Sequence, residues 1–131
     1  ATGAPVWGFR APTFSVMRET GWALDALVDC GFEYDSSIFP VRHDRYGVPD
    51  APRVPFLAQG SEREILELPP LTYRVAGFNL PVAGGGYFRL FPPAVMRAGL
   101  RQAARAGGPS VGMLYFHPWE FDPGQPKLPL K

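Results

Sequence analysis

Apolar positions along the chain fall into short clusters separated by stretches rich in proline and glycine, and the spacing within each cluster indicates a type of element. Residues 6–10 read as a short buried strand, and residues 11–15 as the loop leaving its C-terminal end. Ahead of them, Gly3 and Pro5 suit a helix C-cap that leads into the strand. Over residues 19–30, Trp22, Leu24, Ala26, Leu27 and Val28 recur at roughly helical spacing and leave Asp25 and Asp29 to a polar face, with Gly31 as the stop. Residues 32–35 form a second expected strand and residues 36–40 its exit loop. Pro40, Pro49, Pro52 and Pro55 then predict a long irregular loop over residues 41–59.

Further on, residues 65–69 read as a strand, and residues 71–82 alternate loosely around Ala76 and Gly77 as a hairpin. A helix over residues 97–106 is introduced by Pro92 and Pro93 and closed by Gly107 and Gly108. Residues 111–117 are apolar enough for a strand buried on both faces. The tail from Asp122 carries Pro123, Pro126 and Pro129 without periodicity and is expected along the surface. Strands alternating with helices imply an α/β arrangement around a parallel sheet, with too few strands to close a barrel. No repeat and no linker divides residues 1–131, which read as one domain.

Composition modifies this picture in two ways. Sixteen prolines and fifteen glycines approach low-complexity levels, but ten Phe, five Tyr and three Trp supply the buried area that offsets ordering entropy. The expectation is a folded domain with long, proline-stiffened loops. A formal charge of +1 with mixed signs gives no basic stripe for a nucleic-acid backbone. No apolar run reaches the length of a membrane span and no charged-then-apolar leader opens the chain, so the chain is expected to be soluble, in cytoplasm or periplasm. Cys30 stands alone and can form no internal disulfide.

Three polar residues stand at expected strand ends: Arg10, Asp35 and His117. On parallel strands they project toward one face, where a substrate could sit; the competing reading is an Arg10–Asp35 structural ion pair and a core histidine. If they meet, Asp35 can orient the His117 ring for proton donation to a leaving amine or alcohol. Arg10 can fix a carboxylate base, and the turn after Pro12 can offer the Thr13 N–H to an oxyanion. Neither a base nor an activator of water is evident. A catalytic zinc needs about three protein ligands, whereas this chain has two histidines, His43 and His117, and no paired-histidine motif. Gly84–Gly86 lack the residues of a phosphate loop and suggest a close backbone approach, and Ser15, Ser36 and Ser37 lack a nucleophile elbow. Trp7, Tyr46, Tyr87 and Trp119 are candidates for stacking on sugar rings.

The segments Gly8-Phe9-Arg10-Ala11-Pro12-Thr13-Phe14-Ser15, Tyr34-Asp35-Ser36-Ser37 and Leu114-Tyr115-Phe116-His117-Pro118-Trp119-Glu120 resemble, in order, the third, fourth and fifth motifs of polysaccharide deacetylases, carbohydrate esterase family 4. Residues 38–47 and 81–89 bring the likeness closest to the subgroup encoded with exosortase-linked exopolysaccharide systems. The resemblance implies the C-terminal portion of a single catalytic domain, a partial (β/α) barrel with a hairpin insertion and long proline-rich loops. The implied activity is metal-dependent removal of acetyl groups from amino-sugar polymers. The alternative is a noncatalytic carbohydrate-binding or degenerate domain.

The resemblance also implies roles. Arg10 would order the base, His117 protonate the leaving amine, Asp35 tune that histidine, and the Thr13 N–H hold the oxyanion. Phe14, Phe39, Tyr87 and Trp119 are expected against the substrate. The family's first two motifs, which supply base and metal ligands, have no counterpart here and would lie before Ala1. This chain alone is therefore expected to bind no metal and to be inactive, the complete enzyme taking zinc or another divalent ion. A separate N-terminal half or a second copy is the expected protein partner. Thr13 replaces a common Tyr, and Tyr115 a common Leu, so the acetyl pocket is expected to differ in shape.

Overall fold

The computed structural model describes residues 3–107 and 111–126. Its centre is a four-stranded sheet in the order β1-β2-β4-β3, from β1 (Gly8–Phe9), β2 (Tyr34–Asp35), β3 (Phe56–Gln59) and β4 (Glu64–Glu67). β1, β2 and β4 run parallel, so the segments leaving them, which begin at Arg10, Ser36 and Leu68, emerge at one edge. β3 is antiparallel to β4 and lies within the stretch expected to be irregular. Its prolines precede it, and Phe56 and Ala58 face the core while Leu57 and Gln59 do not, which is ordinary strand alternation. The β3–β4 turn is held by Asp25 of α1 (Trp22–Asp29), whose carboxylate accepts the N–H groups of Ser61, Glu62 and Arg63 at 2.8–3.1 Å. Those bonds hold Asp25 below the usual carboxylate range, against the opposing effect of desolvation.

Two cores flank the sheet. On one face, Leu24 and Leu27 of α1 pack with Ala58, Ile65, Val16 and Ile38. Below the emerging loops, Phe14, Phe39 and Val41 pack with Leu71, Val82, Ala83, Met96 and Ala103. The second cluster draws on the hairpin β5 (Thr72–Val75) and β6 (Phe78–Pro81) and on α3 (Pro93–Arg105). Ala76 and Gly77 both take positive φ, 48° and 84°, as the tight hairpin turn requires. Between β6 and α3 lies a one-and-a-half-turn helix, α2 (Gly85–Leu90), which the triple glycine concealed in the sequence.

The sequence places α1 and α3 at the right sites, with α3 starting earlier because Pro93 occupies its first turn. Gly31 and Gly107 stop the two helices at φ 84° and 76°. The helix that Gly3 would cap lies outside the described residues, as do Gly108 and the tail beyond residue 126. Two expectations of burial fail. Residues 6–10 are mostly exposed, because among the described residues β1 has a hydrogen-bonded neighbour strand on only one side. Residues 111–117 make only isolated parallel bridges, Met113 to Pro70 and Tyr115 to Gly84, and lie half in solvent.

The other face of the main sheet is open. In register across it stand Gly8, Tyr34, Leu66 and Leu57, and the last three are 37, 39 and 64% exposed. An apolar ladder beside an unpaired strand edge is an uncovered surface of the kind that accepts another layer of chain.

Candidate functional site

Arg10, Thr13, Phe14 and His117 line one cleft of about 500 Å³, together with Tyr46, Tyr115 and Phe116. Arg10 leaves β1 and reaches across to the end of β2: its Nε donates to the Ser36 carbonyl at 3.1 Å and its Nη2 to Ser36 Oγ at 3.2 Å. Nη2 also contacts Met113 Sδ at 2.8 Å, and the guanidinium lies 5.7 and 5.6 Å from the Phe14 and Tyr115 ring centres. Nη1 makes no hydrogen bond among the described residues, so two of the five donors remain for a ligand. Partial burial holds Arg10 below its ordinary value, an effect opposed by Tyr115, Asp35 and Glu67, and it stays charged.

The loop after Arg10 is strained. Thr13 and Phe14 both sit in the left-handed region, at φ 58° and 53°, where side-chain-bearing residues cost about 1–3 kcal/mol each. Two neighbours hold them there. The Ala11 N–H donates to Ser37 Oγ at 2.8 Å, and the Phe14 ring is buried against Phe39 and Tyr115, each 5.0 Å away. Phe39, expected to touch substrate, is fully buried beneath Phe14 and is a core ring. Tyr46 stacks on Phe39 and on His43, and its phenol is raised by burial and by a hydrogen bond with Tyr87. Tyr87 thus supports Tyr46 and is not among the residues that line the cleft.

His117 occupies the opposite wall. Its ring stacks on Trp119 at 4.2 Å and 16°, and Trp119 is half exposed. The carboxylate beside His117 is Glu120, not Asp35: Oε2 accepts the His117 N–H at 2.9 Å and lies 3.7 Å from Nδ1. Glu120 is seated against the triple glycine, since a methyl at Gly85 would overlap its carboxylate and one at Gly84 would overlap the Tyr115 ring. The close approach expected there is present. Arg89 approaches Glu120 Oε1 at 3.8 Å.

Asp35 lies out of the cleft. It is fully buried, and its Oδ1 accepts the Ser37 hydroxyl at 2.7 Å; no hydrogen bond or ion pair joins it to His117 or Arg10. Its position on β2 puts it on the sheet face of Phe9 and Glu67, away from the Tyr34 face. Sequence reasoning passed over Glu67 and Glu120. The available signal was a lone acid within the apolar run 65–69, in phase with the core-facing Ile65.

Among the described residues no three His, Cys, Asp or Glu side chains come together to hold a metal ion. His117 and Glu120 alone do not fit a catalytic zinc, and no step is assigned to one. Among the described residues no helix is long and apolar enough to cross a membrane.

A small mixed α/β domain with an aromatic cleft at the C-terminal edge of parallel strands is the class that fold and site define. Residues 36–131 match the family described as a domain of unknown function, DUF3473, and the chain belongs to that family. No curated protein and no solved structure matches the chain. The matched span begins one residue after Asp35, so Arg10 and Thr13 reach the cleft from outside it, and their segment is tied to it by Arg10 through Ser36 and by the Ala11 N–H through Ser37.

Proposed function

We propose that this chain supplies the acid and oxyanion half of a polysaccharide deacetylase site acting on acetylated amino-sugar polymers. The observation that carries the reading is the meeting, in one cleft, of Arg10, the strained Thr13 turn and His117, from segments about a hundred residues apart. DUF3473 domains occur at the C-terminal end of polysaccharide deacetylase-like proteins, which supports it. In the reaction, water oxygen bonds to the acetyl carbon, the carbon–nitrogen bond breaks, and acetate and a free amine leave. His117 gives its proton to that nitrogen, with Glu120 rather than Asp35 orienting the ring. The backbone at Thr13 faces the developing oxyanion, and the free Nη1 of Arg10 holds a carboxylate base.

The base is not among the residues of the cleft, and the divalent metal implied by the resemblance has no ligand set among the described residues. In this reading both come from a separate N-terminal half, layered on the open Tyr34–Leu66–Leu57 face. A second reading, carbohydrate binding without chemistry, is favoured by the exposed Trp119–His117 stack, an amphipathic platform for a sugar ring.

Deacetylation of acetylated amino-sugar oligomers, with and without zinc, separates the two. The expected result is no turnover by this chain alone and turnover when an N-terminal half is joined to it, abolished by His117→Ala. Turnover by the chain alone would sink the division of labour. Saturable metal-free oligosaccharide binding by an inactive joined form, lost in Trp119→Ala, would favour the binding reading.

A further inference from the structure

Glu67 enters β4 at a core-facing position and is fully buried. Its register partner on β2 is Asp35, also fully buried. One oxygen of each carboxyl is satisfied: Asp35 Oδ1 accepts the Ser37 hydroxyl at 2.7 Å, and Glu67 Oε1 accepts the Ile38 N–H at 3.0 Å. The other two, Asp35 Oδ2 and Glu67 Oε2, are buried without a donor, although the two side chains are register partners on adjacent strands and project to the same face. Two ionised carboxylates there would place like charges together away from water, with neither able to donate. A single proton removes one charge and supplies the missing donor for the pair.

We infer that Asp35 and Glu67 share one proton in the native fold, carried by Glu67, and that this acid–carboxylate hydrogen bond positions the loops that build the cleft. Glu67 and Asp35 both hold the 36–38 loop, through Ile38 and Ser37. Ser37 in turn accepts the Ala11 N–H, which fixes the entry to the strained Thr13 turn, and Ser36 takes two donors of Arg10.

The surrounding charges agree. Arg10, directly after β1, is the nearby cation and matches the single negative charge that a once-protonated pair retains. Tyr115 and Tyr34 of β2 are the other ionisable neighbours of Arg10. β3 carries no titratable side chain, and the acids of α1 are engaged elsewhere, Asp25 by the β3–β4 turn and Asp29 by Arg63. Burial first, then Asp35, push Glu67 up to about 9. The shared proton stands without the proposed reaction, whereas the positioning role rests on the cleft being the working site.

The test is carboxyl-carbon NMR on the free chain with labelled glutamate, the Glu67 signal being assigned by its loss in Glu67→Gln. A protonated Glu67 at pH 7, titrating only in the alkaline range, is expected, with the Ala11 and Thr13 amide shifts moving at the same midpoint. Gln can donate to Asp35 and accept from Ile38 without taking up a proton, so Glu67→Gln should melt no lower than the wild type at pH 6, while Glu67→Ala lowers the melting temperature or fails to fold. An ionised Glu67 signal at pH 7, or a Glu67→Gln variant as unstable as Glu67→Ala, overturns the shared proton. Amide shifts of Ala11 and Thr13 that ignore the titration overturn the positioning role. All readouts are free of substrate, so a failed deacetylase assay leaves them standing.

Discussion

Adjacent glycines in α2 should respond to alanine with opposite signs. Gly85 and Gly86 both have helical backbone, so replacing either by alanine favours the helix by about 1 kcal/mol on propensity alone. At Gly86 nothing lies within 4 Å of the added methyl, and Gly86→Ala should therefore stabilise the chain by about 0.5–1 kcal/mol. At Gly85 the methyl would occupy the space of the Glu120 carboxylate. That side chain can swing into solvent, but it then gives up the hydrogen bond from the His117 N–H, a bond to a charged acceptor contributing about 1.5–3 kcal/mol. The loss exceeds the propensity gain, and Gly85→Ala should destabilise by roughly 0.5–2 kcal/mol. Urea unfolding gives both values, and the His117 amide shift reports whether the bond is broken. Glu120→Ala in the same background removes the overlap, so the double variant should recover the propensity gain relative to Glu120→Ala alone. A Gly85→Ala chain that is stabilised like Gly86→Ala, with the His117 amide unmoved, would refute the seating of Glu120 on the glycines.

Other outcomes follow from burial and charge. Glu67 is raised from 4.5 to about 9, so the folded chain binds more protons than the unfolded chain between those values, and stability falls as pH rises through that window. At about 1.4 kcal/mol per unit, roughly 3 kcal/mol is lost by pH 7 relative to pH 4 from this group, a slope that urea midpoints should show in the wild type and not in Glu67→Gln. Leu57→Asn on the open sheet face should change the stability of the isolated chain by no more than about 0.5 kcal/mol, whereas Ile65→Ala on the covered face should cost about 2–5 kcal/mol. Phe39→Ala should cost about 3–5 kcal/mol in the same assay, as a fully buried ring does.

Much of the fold is legible because periodicity and punctuation agree where an element packs on one side only. Leu24 and Leu27 mark α1, Gly31 and Gly107 mark the helix ends, and Ala76–Gly77 marks the hairpin turn. Three features escape this logic. β3 hides behind Pro49, Pro52 and Pro55, which stiffen the approach to the strand without entering it. α2 hides behind glycines whose absence of side chains serves Glu120 and Tyr115 rather than a turn. The third is a matter of strand register. Residues Arg10, Thr13, Phe14 and His117 reach the cleft as expected, but Asp35 is buried outside it, and only the observed register shows that its neighbour is Glu67. Trp22, expected on the packed side of α1, is largely exposed, since Leu24 and Leu27 already fill that contact.

The contact between Arg10 and Met113 spans 103 positions of the chain. Closing a flexible loop of that length costs about 4 kcal/mol in chain entropy, more than the single contact returns, so neighbouring walls must form together. The β3–β4 and β5–β6 hairpins close locally and can form early, whereas the cleft joins segments about a hundred residues apart. During synthesis the cleft therefore cannot exist until His117 has left the ribosome, and in refolding its assembly should be among the last and slowest steps.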